Sequence, residues 1–270
     1  MTATRPEPFS TALGRAVVGA IFFAFPLLLT MEMWELGFHM DRLRLLVFLG
    51  VGVGVIFGLA YYAGFREARG VVNDAIDTFS AIAIGFLVSV VLLAVFGVYT
   101  LDEPLSASVG KTALQAIPAA LGAILARHQL TGSKTNEASA APGSTYAGEL
   151  FLMSAGALFV AFNVAPTEEM ILISFQMDLL QTLVLAALSI ALLHLVVFSL
   201  GFAGQEAHNG QLRALAHFTV PGYAIALLVS LYVLWTFGRT DGLSPHEIVA
   251  TMIVLGFPAA LGAALARLVV

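Results

Sequence analysis

The chain has 270 residues, of which 59% are hydrophobic and only 11% are charged, and its mean hydropathy is +0.94. An ordinary globular protein has about 25% charged residues, and a soluble domain this apolar could not cover its core with polar surface. The excess apolar surface therefore has to face lipid. Composition excludes a soluble protein and indicates a membrane protein that crosses the bilayer several times.

The cysteine content, the charge and the missing motifs exclude further classes. The sequence contains no cysteine, which removes disulfides, thiolate metal sites and iron–sulfur clusters. The net charge of −5 is diffuse, and without a basic stripe nucleic acid is excluded as a partner. We find no HExxH, GxSxG or Walker A motif, so we predict no catalytic residues and no cofactor, and expect the protein not to be an enzyme.

Hydropathy predicts an all-α membrane protein with eight transmembrane helices, because about 20 apolar residues are needed to cross about 30 Å of hydrocarbon. A tail of residues 1–10 precedes the first span, and a flexible linker, 131–146, separates the fourth span from the fifth. The predicted spans lie near 11–31, 43–65, 78–100, 107–127, 147–165, 178–203, 214–238 and 247–270.

The two halves of the sequence resemble each other. PAALGAILAR at 118–127 and PAALGAALAR at 258–267 share nine of ten residues at an offset of 140. Eight residues near the end of the first span recur at an offset of 137. They are Ala24, Phe25, Thr30, Glu32, Met33, Phe38, Met40 and Asp41, matched by Ala161, Phe162, Thr167, Glu169, Met170, Phe175, Met177 and Asp178. We infer a duplicated four-helix unit, with repeats at 11–130 and 147–270.

An even number of spans returns the chain to the side where it began, so the two repeats should have the same orientation, related by a pseudo-twofold axis along the membrane normal. Of the twelve Lys and Arg residues, we place eight on the side of the termini and four on the other side. This bias predicts that both termini are cytoplasmic in the plasma (inner) membrane. Ten of the seventeen acidic residues lie on the outer side, which predicts an electronegative outer mouth.

The strongest candidate residues for ion binding are Glu32 and Glu169, in TMEM at 30–33 and TEEM at 167–170. We predict each at the outer C-terminal end of the first helix of its repeat, where backbone carbonyls disfavour a carboxylate and a cation or proton would compensate. Thr30 and Thr167 would add oxygen ligands, which suits a hard cation such as Na⁺, Ca²⁺ or H₃O⁺. The alternative is that both carboxylates are solvated at the interface, and which metal could bind stays open.

Further candidates lie deeper in the spans or toward the inner side. His194 is an ionisable residue within a predicted span, and such residues often have a function, although a hydrogen-bonded core histidine is the alternative. Its repeat equivalent is Phe57, so any role is not symmetric. Asp77 and His217 are candidate cytoplasmic proton or cation acceptors, because Phe79-Ser80 pairs with Phe218-Thr219, but Asp77 could instead cap a helix.

Other matched residues have structural interpretations. Pro118 and Pro258 predict kinks in the last helix of each repeat, used for packing or to line a cavity. Asp41 and Asp178 each precede an apolar span and are predicted helix caps, and Ser244 with Glu247 forms a second capping box.

The duplicated unit, with its Thr-x-Glu-Met segment and its closing Pro-Gly helix, resembles a family of uncharacterised prokaryotic integral membrane proteins, a domain of unknown function. The resemblance covers nearly the whole chain and implies no activity. From the residues, we predict a cation channel or a cation- or proton-coupled transporter with an outer acidic site. The alternative is a non-transporting component such as a sensor, an assembly factor or a lipid-contacting scaffold. The expected partners are the lipid bilayer and a small cation or proton, with a homo-oligomer left open.

Overall fold

A computed structural model describes residues 9–62, 70–100, 102–129, 145–200 and 215–269. Within these ranges the chain forms ten α-helices and one π-helical turn, and it contains no strand. Among the described residues, eight helical segments are long and apolar enough to cross a membrane. The prediction of an all-α protein with eight spans is therefore confirmed.

The helices of the first half are α1 Phe9–Leu28, α2 Met31–His39, α3 Arg42–Tyr62, α4 Val71–Val95 and α5 Leu105–Gln129. The second half consists of α6 Tyr146–Val164, α7 Glu168–Gln176, α8 Leu179–Leu200, the π-helical turn Leu215–Thr219, α9 Val220–Thr236 and α10 Pro245–Val269. The short helices α2 and α7 were not predicted. Helix α4 begins seven residues before the predicted third span, because polar residues at 73, 74 and 77 are part of the helix.

Local side-chain caps fix several helix starts. Asp41 accepts hydrogen bonds from the backbone N–H groups of Leu43 and Arg44, at 2.9 and 3.2 Å. Asp178 and Gln181 exchange hydrogen bonds as a capping box. Ser244 N–H donates to Glu247 at 2.7 Å, and Glu247 N–H donates back to the Ser244 hydroxyl at 3.4 Å. The predicted caps are confirmed.

Residue contacts divide the chain into two compact units. The first unit comprises the described residues within Met1–Phe38 and Leu49–Thr135, and the second those within His39–Phe48 and Asn136–Val269.

Helix α5 is the core of the first unit, because 89% of its apolar membrane-spanning stretch is buried and it packs against α1 and α4. Gly19 of α1 and Gly122 of α5 meet backbone to backbone, and a Cβ atom built on Gly19 would lie 2.5 Å from the Gly122 carbonyl oxygen. Only glycine allows the two helices to approach this closely.

Helix α10 has the corresponding place in the second unit, where it packs against α6, α8 and α9. Gly156 of α6 and Gly262 of α10 form the close contact, and a Cβ atom on Gly262 would lie 3.0 Å from the Gly156 carbonyl carbon. The ring of Phe48, from the start of α3, packs against Phe162 and Phe237, with centroids 5.1 and 6.0 Å away.

Helices α4 and α9 end in the same way. Gly97 follows α4 with φ of 68°, and Gly238 follows α9 with φ of 72°. The backbone N–H of the residue after each glycine donates to the carbonyl oxygen five residues earlier, from Val98 to Leu93 and from Arg239 to Leu234. This is the Schellman arrangement, whose left-handed position favours glycine.

Candidate functional site

The first predicted acid, Glu32, lies in the first turn of α2 and is half-buried. Helix α1 has already ended at Leu28, and the Thr30 hydroxyl donates to the Pro26 carbonyl oxygen at 2.7 Å. The carboxylate is therefore close to a helix N-terminus.

The second predicted acid has the same local setting. Helix α6 ends at Val164, and Glu168 and Glu169 occupy the first turn of α7, where both are exposed. The Thr167 hydroxyl donates to the Val164 carbonyl oxygen at 2.9 Å. Pro166, which has no N–H group, lies two residues after the last residue of α6 and prevents the helix from continuing.

The placement of Glu32 and Glu169 at the C-terminal ends of the first helices was wrong. The partial positive charge of a helix N-terminus favours a carboxylate, so neither acid requires a compensating cation to be stable there. Ion binding by Glu32, Glu169, Thr30 and Thr167 stays a prediction, without this electrostatic argument.

Asp77 lies in the second turn of α4, whose N-cap is Gly70, so the alternative of a cap at Asp77 is wrong. It is half-buried, whereas Asp74, one turn earlier, is 6% exposed. The Thr78 hydroxyl donates to the Asp74 carbonyl oxygen at 2.7 Å. Asp74 is the more enclosed acid of this helix.

The predicted pairing of Phe79-Ser80 with Phe218-Thr219 was also wrong. Phe79 and Ser80 are exposed, whereas Phe218 and Thr219 are buried. The residue of α4 whose environment matches Thr219 is Thr78, which is 1% exposed. The offset of 141 between these threonines is the same as that between Gly97 and Gly238.

Both prolines lie inside the helices that close their units, Pro118 in α5 and Pro258 in α10. Pro118 is buried and Pro258 is half-buried. One turn before Pro118, the Gln115 amide donates to the Leu27 carbonyl oxygen of α1 at 3.1 Å. Pro118 is therefore surrounded by packed helices, and the kinks at Pro118 and Pro258 stay a prediction.

His194 lies in the last part of the sixth span and is half-buried. Its Nδ1 atom is 2.9 Å from the hydroxyl oxygen of Thr219, which is completely buried. Thr219 ends the π-helical turn Leu215–Thr219, and such turns often occur at functional sites. The histidine thus joins α8 to the irregular start of the seventh span.

Glu149, in the first turn of α6, is 3% exposed. One turn before it, the Tyr146 hydroxyl donates to the His217 carbonyl oxygen at 2.8 Å. One turn after it, Met153 contacts Gly222 of α9. Because Thr219 lies between these two contacts on the facing segment, Glu149 lies at the level of Thr219.

We call Glu149, His194, His217 and Thr219 the polar cluster. Within the polar cluster, solvent exposure decreases from His217, which is exposed, to His194, which is half-buried, and to Glu149, which is buried. Carboxyl and imidazole groups are the side chains that most often act as general acids and bases in proteins. The arrangement could receive a proton from water and pass it into the helix bundle. The described residues contain no group of three or more His, Cys, Asp or Glu that could hold a metal ion.

The first unit contains a buried ion pair that was not predicted. Lys111 Nζ is 2.5 Å from Glu103, and the two side chains are 7% and 3% exposed. Lys111 also donates to the Val98 carbonyl oxygen at 3.1 Å and lies over the Phe38 ring. Burial raises the pKa of Glu103, but the hydrogen bonds that it accepts and the positive charge of Lys111 together hold the pKa below its usual range.

The second unit has an exposed ion pair at the end of α9. Arg44 forms two hydrogen bonds with Asp241, at 2.7 and 2.8 Å, and its guanidinium lies 5.4 Å from the Trp235 ring centroid. The hydrogen bond from Arg44 lowers the pKa of Asp241 below its ordinary value.

Residues 12–270 match the family model described as "Putative integral membrane protein (DUF2391)". The chain belongs to this family. Membership confirms the resemblance to an uncharacterised membrane family, and the match covers nearly the whole chain. No curated protein and no solved structure matches it.

In this family member, sequence reasoning missed Glu149, Asp74 and the Lys111–Glu103 pair. A first-turn acid is normally a solvated residue at a helix start, and neither Glu149 nor Asp74 differs from that pattern in sequence. A signal for Asp74 was present, because Asp74, Thr78, Ala81, Gly85 and Ser89 follow helical spacing and are all buried.

Proposed function

We propose that this integral membrane protein is a proton- or cation-linked transport protein built from two copies of a four-span unit. The observation that supports transport best is the polar cluster, in which Glu149 is buried within a spanning segment at the level of Thr219, and Thr219 bonds to His194. Ionisable groups at such positions are costly and commonly mark an ion or proton pathway.

The duplication is supported by features that recur inside each unit. Gly19 and Gly122 of the first unit correspond to Gly156 and Gly262 of the second, at the offsets of 137 and 140 found in the sequence. A further pair is Ser89 and Ser230, which are both buried and donate to carbonyl oxygens one turn earlier. Copies of one unit would explain why the same contacts occur twice.

The proposed topology follows from the even number of spans in each copy. Parallel copies would put both termini on the cytoplasmic side of a prokaryotic inner membrane, with Glu32 and Glu169 on its outer face. The transported ion would then meet these outer acids and the threonine oxygens before it reaches the spans. We propose no catalytic role, no nucleic-acid partner and no cofactor, and leave a homo-oligomer open.

Within the spans, the polar cluster would work as a proton relay or ion acceptor. His217 is exposed, His194 bonds to Thr219, and Glu149 is enclosed at the level of Thr219. Asp77 would be a further acceptor in the first unit. A cation could replace the proton only with oxygen ligands, which Glu149 and Thr219 can provide.

A second candidate function, a non-transporting membrane component, is favoured by a specific observation. Many buried hydroxyl groups donate to carbonyls of their own helix, among them Thr78, Ser89, Ser189 and Ser230. Such hydroxyls are satisfied without a polar pore. In this case the polar cluster would stabilise the helix packing only.

Flux in reconstituted liposomes separates the two functions. The native protein and the variants Glu32→Gln, Glu169→Gln and His194→Phe would be compared under Na⁺, K⁺, Ca²⁺ and pH gradients. His194→Phe introduces the residue found at the equivalent position 57. Transport predicts flux in the native protein under at least one gradient and a loss in His194→Phe.

The variants also test the outer acids. A loss in Glu32→Gln and Glu169→Gln would support the outer site, whereas unchanged flux in both would remove it. If the native protein passes no ion under any gradient, the transport proposal fails and the non-transporting function is favoured.

A further inference from the structure

An apolar groove of about 450 Å³ lies in the second unit between α9 and the start of α10. Leu228, Leu231 and Ile248 form its aliphatic wall, and Tyr232 and Trp235 add aromatic rings. Leu228 and Leu231 are exposed, so the groove is accessible from outside the unit. A groove of this composition suits a hydrocarbon chain.

The groove lies where a spanning helix ends. The span that contains α9 closes at Thr236, and the groove extends from Leu228 to Thr240, beyond that end. Eight residues of helix separate Leu228 from Thr236, which corresponds to about 12 Å along the axis. Tryptophan and tyrosine are enriched at this depth, the interface between hydrocarbon and headgroups.

The mouth of the groove has one positive and one negative group. Thr240 lines the groove and directly precedes Asp241, whose carboxylate bonds to Arg44, and Arg44 lies over Trp235. The Asp241 side chain is 59% exposed and that of Arg44 is 21% exposed. A guanidinium has five N–H donors, and two of those on Arg44 bond to Asp241. Arg44 can therefore donate to a further group while its ion pair with Asp241 stays intact.

We propose that this groove binds a zwitterionic phospholipid of the phosphatidylethanolamine type, with its acyl chain along Leu228 and Leu231. Its phosphate bonds to Arg44 and its ammonium group to Asp241. Both headgroup charges then have an opposite partner. An anionic phospholipid such as phosphatidylglycerol would satisfy Arg44 but would place a negative charge beside Asp241 without a compensating cation.

Fluorescence of Trp235 provides the test, because the chain has only two tryptophans. In Trp34→Phe, Trp235 is the only tryptophan, and phospholipids brominated on the acyl chain quench it on contact. The purified protein would be titrated in nanodiscs with brominated phosphatidylethanolamine or phosphatidylglycerol in an unbrominated background. We expect quenching to saturate at a several-fold lower fraction of phosphatidylethanolamine.

The chain offers a matched control reporter. Ala94 has the position in α4 that Trp235 has in α9, at the offset of 141, and it is exposed. In Ala94→Trp, with Trp34 and Trp235 replaced by Phe, both lipids should quench equally, as ordinary contact with bulk lipid requires. Asp241→Asn, in the Trp34→Phe background, should abolish the headgroup preference and retain quenching by the chain.

Two results would overturn the proposal. The first is equal quenching of Trp235 by both lipids, and the second is a preference that Asp241→Asn leaves unchanged. Native mass spectrometry of the unmodified protein is an independent readout if Trp34→Phe folds poorly, with bound phosphatidylethanolamine retained in preference to phosphatidylglycerol. No ion flux is measured in any arm, so this inference and the transport proposal can fail separately.

Discussion

The two units combine a similar helix framework with different polar groups. Gly37 of α2 lies against Lys111 of α5 in the first unit, with a built Cβ atom 2.6 Å from the Lys111 backbone nitrogen. In the second unit Ser174 and Thr251, at the sequence offsets of 137 and 140 from Gly37 and Lys111, are joined by a hydrogen bond of 2.9 Å. This comparison indicates that small residues set how closely the helices pack. The charges and hydrogen bonds at such helix contacts can differ between the two units.

The hydrogen bonds of Thr219 in the second unit and Thr78 in the first unit also differ. In the second unit Thr219 bonds to His194, whereas the Thr78 hydroxyl of the first unit donates to its own helix. The residue at the sequence offset of 137 from His194 is Phe57. At this offset the second unit has an imidazole and the first unit has a phenyl ring, which is why the proposed proton relay lies in the second unit.

The largest expected effect is on the glycine contacts that both units contain. Gly122→Leu and Gly262→Leu should each destabilise the protein by more than about 3 kcal/mol, because the added side chain meets backbone that cannot move aside. The measurement is the yield of monodisperse protein and its thermal unfolding in detergent. Gly54→Leu, where nothing lies within 4 Å, is the control and should fold normally. Tolerance of leucine at Gly122 or Gly262 would contradict the shared framework.

Breaking the buried ion pair should destabilise the protein more than breaking the exposed one. Lys111→Met should cost about 3–5 kcal/mol, since it leaves the Glu103 carboxylate buried without its cation. Arg44→Met should cost about 0–1 kcal/mol, because Asp241 is exposed to solvent. Denaturant unfolding in detergent measures both. Equal losses in the free energy of unfolding would show that burial does not determine how much each ion pair stabilises the protein.

Stability should depend on pH through Glu103. Its folded pKa is lowered, so its stabilising contribution is complete above the ordinary carboxyl pKa and is lost as pH falls through the folded value. Thermal unfolding between neutral and acidic pH should therefore show a loss that Glu103→Gln reduces. An unchanged pH profile in that variant would exclude the pair as its source.

The smallest expected effect is at the hydroxyl pair of the second unit. Ser174→Ala removes the hydrogen bond to Thr251 and should cost about 0.6 kcal/mol, the average for such bonds between membrane helices. Thr251 keeps its bond to the Glu247 carbonyl oxygen, which limits the loss. A cost as large as that of Lys111→Met would mean that this contact determines the fold of the second unit.

Spans and caps were predictable because their causes are local. A run of about 20 apolar residues crosses a bilayer whatever it packs against, and the side chains of Asp178 and Ser244 cap helices that begin beside them. The short helices α2 and α7 were missed because only two or three residues separate them from the spans before them. Hydropathy does not resolve so short a break.

The candidate sites were harder to predict because burial depends on residues distant in sequence. Glu149 is enclosed beside a segment about seventy residues further along the chain, and Lys111, the partner of Glu103, lies over Phe38, about seventy residues earlier in the chain. His194 was identified because an ionisable residue within an apolar span is conspicuous by itself. Its partner Thr219 could not be identified from the sequence.

A comparison of two buried acids tests the central claim most directly. Glu149 and Asp74 each lie in the first turn of a spanning helix, one in each unit. Proton and cation flux in liposomes should be abolished by Glu149→Gln and retained by Asp74→Asn, with both proteins monodisperse and normally folded. Unchanged flux in Glu149→Gln, or an equal loss in the two variants, would contradict the assignment of the ion pathway to the polar cluster of the second unit.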